Sequence, residues 1–222
     1  MEEHTVKILD SDYVTDDVKR FLVQKPVGYT FEPGQATEVS INKPEWKDQR
    51  RPFTFTSLPS WKNLEFTIKI YRGHNGVTNQ LEKLQSGDEL ILHEVFGAIT
   101  YQGPGIFLAA GAGITPFLSI LRQLYKENKL EKCKLLFSNK TLGDIIHKRE
   151  LEEMLGRSYI NILTRQNVVG YLDRRIDEDM LKDHIRDFNR HFYICGPDDF
   201  VKRMTGILLN LGAKMETLVV EK

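Results

Sequence analysis

The chain has 222 residues, of which 41% are hydrophobic and 28% charged, so it can bury a proper core as one large domain or two small ones. Lys plus Arg and Asp plus Glu each total 31; the resulting zero net charge argues against nucleic-acid binding and makes any phosphate site a local one. Cys133 and Cys195 are the only two cysteines, which excludes a cysteine-ligated iron–sulfur cluster or structural zinc and leaves no metal site to expect.

No apolar run is long enough to insert in a membrane, and the acidic start MEEHTVKILD is unlike a signal peptide, so a cytoplasmic protein is expected. Residues 1–102 are punctuated by turn signals such as Pro26-Val27-Gly28, Glu32-Pro33-Gly34 and Gly87-Asp88. Between them, residues 18–23, 37–41, 64–71 and 89–95 read as short strands, and 64–71 alternates as a half-buried strand should. A helical segment near residues 78–85 interrupts them. Many short strands at regular spacing predict an antiparallel barrel or sandwich.

Two clusters in this half carry candidate chemistry. In Arg51-Pro52-Phe53-Thr54-Phe55-Thr56-Ser57, a guanidinium, an aromatic ring and hydroxyls lie close enough to hold a phosphate, stack on a ring and bond its edge. The same residues also suit an edge strand with solvated Arg and Thr and a core Phe. His74-Asn75-Gly76-Val77-Thr78 reads as a turn and helix cap, or as a second anion site.

Residues 103–222 change rhythm. Residues 106–110 form an apolar run suited to a buried strand, and Gly111-Ala112-Gly113 then lets the backbone turn tightly. Thr115 suits an N-cap and Pro116 the first helical position, with Phe117, Ile120, Leu121 and Leu124 forming the apolar stripe. Strand, glycine turn and helix N-terminus together make an anion site, although the glycines alone also fit an ordinary turn. Strands at 134–137, 159–163, 191–194 and 217–220 alternate with helices at 144–155, 178–188 and 197–209, which predicts a parallel sheet covered on both faces.

Ligands of such sheets bind beyond the carboxyl ends of the strands. Those ends carry Gly111-Ala112-Gly113, Ser138-Asn139-Lys140, Thr164-Arg165, Cys195-Gly196-Pro197 and Glu221. An NAD site wants a carboxylate about 20 residues past the glycines, for the ribose 2′-hydroxyl. Lys140 and Arg165 instead suit a 2′-phosphate, so NADP is favoured over NAD; the alternative is that both are solvated rim charges. The small thiol of Cys195 leaves room for a planar ring, and no His or Asn partner marks it as a nucleophile.

Taken in order, these motifs resemble the ferredoxin–NADP reductase superfamily of FAD-dependent reductases, over essentially the whole chain. The resemblance implies an N-terminal six-stranded antiparallel Greek-key barrel for FAD, residues 1–102. It implies a Rossmann-like five-stranded parallel α/β domain for NAD(P), residues 103–222. Arg51-Pro52-Phe53-Thr54 looks like the flavin motif, with Arg51 on the pyrophosphate, Phe53 against the isoalloxazine and Thr54 near N5. Ile68-Lys69 looks like the second flavin strand, Gly76-Val77-Thr78 the pyrophosphate cap, and Phe31-Glu32-Pro33-Gly34-Gln35 the Pro-Gly-Gln turn. Gly111-Ala112-Gly113-Ile114-Thr115-Pro116 is similar to the nicotinamide-nucleotide loop, joined by Lys140, Thr164 and Arg165 on the rim and Cys195-Gly196-Pro197 on the nicotinamide side.

Three positions depart from the pattern: Phe53 replaces a frequent Tyr, Ala112 a frequent Thr, and the sequence stops at Glu221-Lys222 where relatives often continue to a terminal aromatic. Glu221 looks like the acid of that region, with a proton-relay or nicotinamide-positioning role. Thr54, Cys195 and Glu221 are therefore the expected reacting region. The implied activity passes hydride from NAD(P)H to FAD and electrons onward to a separate acceptor such as flavodoxin or ferredoxin, or a small molecule; one alternative is a reductase subunit feeding a multicomponent oxygenase or haem system. A non-catalytic flavin or nucleotide sensor on the same fold is the other alternative.

Overall fold

Two six-stranded sheets divide the described residues, 3–97 and 99–220, of the computed structural model. The first sheet contains β1 (His4–Thr15), β2 (Val18–Gln24), β3 (Ala36–Ile41), β4 (Arg51–Thr54), β5 (Asn63–Lys69) and β6 (Glu89–Phe96), with α1 (Val77–Glu82) between β5 and β6. Its order is β4-β3-β6-β1-β2-β5, and every pairing is antiparallel. An antiparallel bridge between Phe55 and Phe66, continued by the Thr56 N–H donating to the Glu65 carbonyl at 2.9 Å, brings the two edge strands together. The sheet thus closes into the expected barrel, which leaves no open edge. Phe21, Phe55, Phe66, Ile41 and Leu64 fill its interior.

β1 is absent from the sequence-based strands because its composition hides it. Only Val6 and Ile8 are buried along its length, and its distal half is a polar ribbon paired with β2, where Arg20 bridges Asp10 and Asp12. β5 departs from its expected half-exposed pattern: Glu65 and Thr67, on the face opposite Phe66, are also buried. The α/β half covers that face.

The second sheet contains β7 (Gly105–Ala110), β8 (Lys134–Asn139), β9 (Tyr159–Leu163), β10 (Leu172–Asp173), β11 (His191–Cys195) and β12 (Leu218–Val220), all parallel, in the order β10-β9-β8-β7-β11-β12. All five expected strands are present. The two-residue β10 adds a sixth, too short to give a periodic signal. α2 (Thr115–Lys126) and α3 (Lys148–Leu155) cover one face, and α4 (Glu178–His184) and α5 (Asp198–Asn210) the other. The residues of β7 alternate between those two cores, Phe107 toward α2 and Ile106 and Leu108 toward α4 and α5, which explains its unbroken apolar run.

Two local expectations change. Thr115 does not cap α2: a 3₁₀ turn over Gly111–Ile114 precedes the helix, and the Thr115 hydroxyl donates back to the Ala112 carbonyl at 3.0 Å. The helix expected over 144–155 is split by His147, whose φ of 49° places it in the left-handed region, so α3 begins at Lys148. Among the described residues no helix is long and apolar enough to cross a membrane.

The two halves meet along α2. The Pro33-Gly34-Gln35 turn docks there, with the Gly34 N–H donating to the buried Ser119 hydroxyl at 2.9 Å. Gly34 has φ +94°, and a Cβ on it would lie 2.0 Å from the Ile99 carbonyl oxygen, so the turn admits only glycine.

Candidate active site

A cleft of about 690 Å³ runs between the carboxyl ends of the parallel strands and the outer face of the barrel. From the barrel it is lined by Phe53 and Thr54 of β4, Ile68 and Lys69 of β5, and Thr78 of α1. From the α/β half it is lined by Gly111, Ala112, Gly113, Thr115, Lys140, Thr164 and Cys195-Gly196-Pro197. Thus residues from motifs far apart in sequence are brought into one cavity of the size that holds small-molecule ligands.

Close backbone packing shapes the α/β wall. A Cβ on Gly113 would sit 2.3 Å from the Cys195 carbonyl oxygen, so the glycine loop after β7 rests directly on the turn after β11. Gly111, with φ +53°, has nothing within 4 Å of a Cβ position and presents bare backbone. Gly196 is packed between Phe200 and Ala110. Thr164 bonds the Asn139 carbonyl through its N–H and hydroxyl at 2.9 and 3.2 Å, and the Arg165 N–H donates to the Lys140 carbonyl at 2.9 Å. Lys140 and Arg165 therefore stand on adjoining strand ends, both exposed.

Other expected residues stand outside the lining. Arg51 is exposed and donates to the Arg50 carbonyl at 2.7 Å. Gly76 precedes α1, while the Val77 side chain is 1% exposed in the barrel core. Ile114 and Pro116 are buried, Ile114 in the α2 core, so they shape the loop from behind. Glu221 lies outside the described residues.

The cleft also draws on residues the motifs did not include. Asp17 and Val18 enter from the β1–β2 turn, and Asp17 pairs with Lys69 at 2.7 Å. The Asp16-Asp17 doublet between two strands was the available turn signal. Thr67, Tyr71, Asp144 and Ile146 also line the cleft. The Asp144 carboxylate accepts from the Thr141 N–H and hydroxyl at 2.8 and 2.7 Å, and is thereby held in the loop after Lys140.

The donor set fits a flavin and a dinucleotide. Bare backbone at Gly111, the start of α2 and cations on the rim suit phosphates. Facing them, Phe53 and the Thr54 hydroxyl supply a ring face and a hydrogen-bonding edge. Asn139, 4% exposed, has a carboxamide with no hydrogen-bond partner among the described residues, which marks the second strand end as polar and incomplete.

Comparison with known proteins agrees with this geometry. A family model described as FAD-binding domain matches residues 3–138, and one described as oxidoreductase NAD-binding domain matches residues 107–205. The chain belongs to the ferredoxin–NADP reductase superfamily. FAD and a nicotinamide coenzyme are accordingly the cofactors of this superfamily member. Its sequence is 29% identical over 232 residues to a glycine betaine monooxygenase reductase subunit of Chromohalobacter salexigens, covering 96% of this chain and 62% of that protein. It is 25% identical to a flavodoxin/ferredoxin–NADP reductase of Buchnera aphidicola, covering 93% of this chain and 90% of the relative. Its fold superposes on a Neisseria gonorrhoeae ferredoxin NADP+ reductase with bound FAD and NADP, at TM-score 0.88 and 21% identity, with 99% and 98% of the two chains covered. The chain spans under two thirds of the length of the glycine betaine monooxygenase reductase subunits it matches.

Proposed function

We propose that this chain is an FAD-dependent NAD(P)H oxidoreductase that delivers electrons to a separate acceptor. The observation that carries the reading is the shared cleft, in which Phe53, Thr54 and Ile68 of the barrel face Gly111-Ala112-Gly113 and Cys195-Gly196-Pro197 of the α/β half. The proposal assigns FAD to residues 1–102 and the coenzyme to residues 103–222. That division is supported by the end of β6 at Phe96 and the start of β7 at Gly105.

In this reading FAD would be held by Arg51, Phe53, Thr54, Ile68, Lys69, Gly76, Val77 and Thr78, and when bound would supply hydride-accepting redox chemistry. The chain's contribution is placement. Phe53 offers a ring face, and the Thr54 hydroxyl a hydrogen bond beside it. Gly113 and Gly196 let two strand ends approach closely enough to form one floor, with Cys195 as its small side chain. Gly111 to Pro116 take the coenzyme's phosphates and Thr164 its neighbouring rim. Lys140 and Arg165 favour NADPH, because two exposed cations on adjoining strand ends suit a 2′-phosphate and outnumber the Asp144 carboxylate, which keeps its charge while bonded to Thr141.

The acceptor in this proposal is an electron-carrier protein or an oxygenase component. Relatives that are reductase components of monooxygenases, including a propane 2-monooxygenase of Rhodococcus jostii, support it. A cytoplasmic setting belongs to the same reading, since NAD(P)H is supplied there.

An anaerobic titration tests the proposal. The purified protein should be yellow and bleach with NADPH at lower concentration than with NADH. A bound flavin inert to both coenzymes would return the sensor reading.

A further inference from the structure

Six side chains form a closed polar ring across the seam, three from each half. Thr56 donates to Glu65 Oε1 at 2.8 Å, and Arg122 donates to the same oxygen at 2.7 Å and to the Thr56 carbonyl at 2.5 Å. Arg122 also grips both oxygens of Glu150, at 2.6 and 2.8 Å. Glu150 Oε2 lies 3.5 Å from His147 Nδ1, His147 Nε2 lies 3.3 Å from Thr67 Oγ1, and Thr67 Oγ1 lies 3.3 Å from Thr56 Oγ1. The ring then returns to Glu65.

Counting hydrogens around this ring gives a definite result. The Thr56 hydrogen is committed to the Glu65 carboxylate, which only accepts. Thr67 has one hydrogen for two neighbours, Thr56 and His147. A neutral imidazole carries one hydrogen, so either Nδ1 turns a lone pair toward the Glu150 carboxylate 3.5 Å away, a charge contact rather than a hydrogen bond, or one link of Thr67 lacks its donor. An imidazolium carries two, so it donates to Thr67 and meets the Glu150 carboxylate as an ion pair. Burial and the positive Arg122 hold the His147 pKa below its ordinary value, against the opposing pull of Glu150 and Glu65, with Arg20 of β2 as the other facing cation. Near neutral pH the ring is therefore one hydrogen short.

His147 ends the loop that carries Lys140, Asp144 and Ile146 along the cleft, and Thr67 belongs to the barrel wall of the same cleft. Its left-handed backbone turns the imidazole at the start of α3, on the seam. We propose that His147 is a positioning residue that ties the coenzyme-side rim loop to Thr67 of the flavin-side strand, and that completing the ring on protonation tightens coenzyme binding. This rests on the reading of the cleft as the NAD(P)H site.

The test is calorimetric binding of ADP-ribose to the FAD-loaded protein between about pH 5 and 8, a range in which imidazole titrates. Affinity should rise as pH falls, by about fivefold for one partly buried ion pair gained. His147→Gln should flatten the profile while keeping the wild-type FAD content, Thr67→Val should flatten it as well, and the double variant should bind no worse than the weaker single one. A pH profile that persists in His147→Gln, additive losses in the double variant, or loss of FAD in place of ADP-ribose affinity would each overturn the proposal. Wild-type protein that binds no ADP-ribose at any pH would overturn the NAD(P)H reading itself.

Discussion

Gly113 lies in backbone contact with Cys195: a Cβ on the glycine would stand 2.3 Å from the cysteine's carbonyl oxygen. Both belong to the floor of the cleft, so a methyl group at Gly113 must push apart two strand ends. Gly113→Ala should cost about 1–3 kcal/mol by overpacking and lower Tm by several degrees. It should also raise the KM for coenzyme. Unchanged melting and kinetics would mean the two turns are not held together as described.

Arg122 neutralises Glu65, whose carboxylate is 5% exposed. Burial opposes ionisation of Glu65, but the charge and hydrogen bonds of Arg122, with the Thr56 hydroxyl, outweigh it and hold the pKa below the ordinary value of 4.5. Removing Arg122 leaves the buried Glu65 with the more distant Arg20, 3.7 Å away, so Arg122→Ala should lose about 3 kcal/mol in urea unfolding, the low end for a broken buried pair. Arg122→Ala with Glu65→Gln should recover part of that loss.

The pH dependence of this pair has a definite sign. A carboxylate with a depressed folded pKa contributes stability that is present above its unfolded pKa and lost as pH falls through the folded one. Wild-type urea midpoints should therefore fall below pH 4.5 partly through Glu65. In Arg122→Ala burial is opposed by the weaker pull of the Thr56 hydroxyl, Arg20 and His147, so the slope contributed by Glu65 shrinks. A parallel pair of pH–stability curves would contradict this account.

Lys140 and Arg165 stand on adjoining strand ends, where the Arg165 N–H donates to the Lys140 carbonyl and both side chains are exposed. Replacing both with Ala should raise the KM for NADPH about tenfold, a value discounted for their exposure, and leave that for NADH nearly unchanged. Equal changes in both would remove the assignment of a 2′-phosphate to this rim.

Arg51 carries the flavin assignment at the cleft's outer edge. Arg51→Ala should weaken FAD retention by roughly 10-fold or more, as loss of a charge-assisted bond to phosphate does. Dialysis followed by absorbance at the flavin band measures it, and wild-type retention would sink the role. Since Arg51 is exposed and bonded to the Arg50 carbonyl, this substitution should leave the barrel's stability nearly intact.

Much of the fold was legible because its signals are local. The unbroken apolar run of β7 needs a sheet covered on both faces, and Gly111-Ala112-Gly113 before Pro116 needs a tight turn into a helix. The strand-end rule then placed Lys140, Thr164 and Cys195 on one rim before any coordinates. Turn chemistry likewise marked Gly34 as special, without saying against what.

The sequence by itself determined the alternation of short strands, the glycine and proline punctuation and hence both half-folds, since period and backbone permissiveness are properties of neighbouring residues. Tertiary structure alone decided what each polar side chain faces. Glu65 and Thr67 read as the solvated side of β5, yet α2 and α3 bury them and supply Arg122 and His147 as partners. Asp17 joined the cleft, and Arg51 was left at its exterior, by the same rule. Alternation states that a strand has two faces; what packs against each is fixed by contacts between residues far apart in the chain.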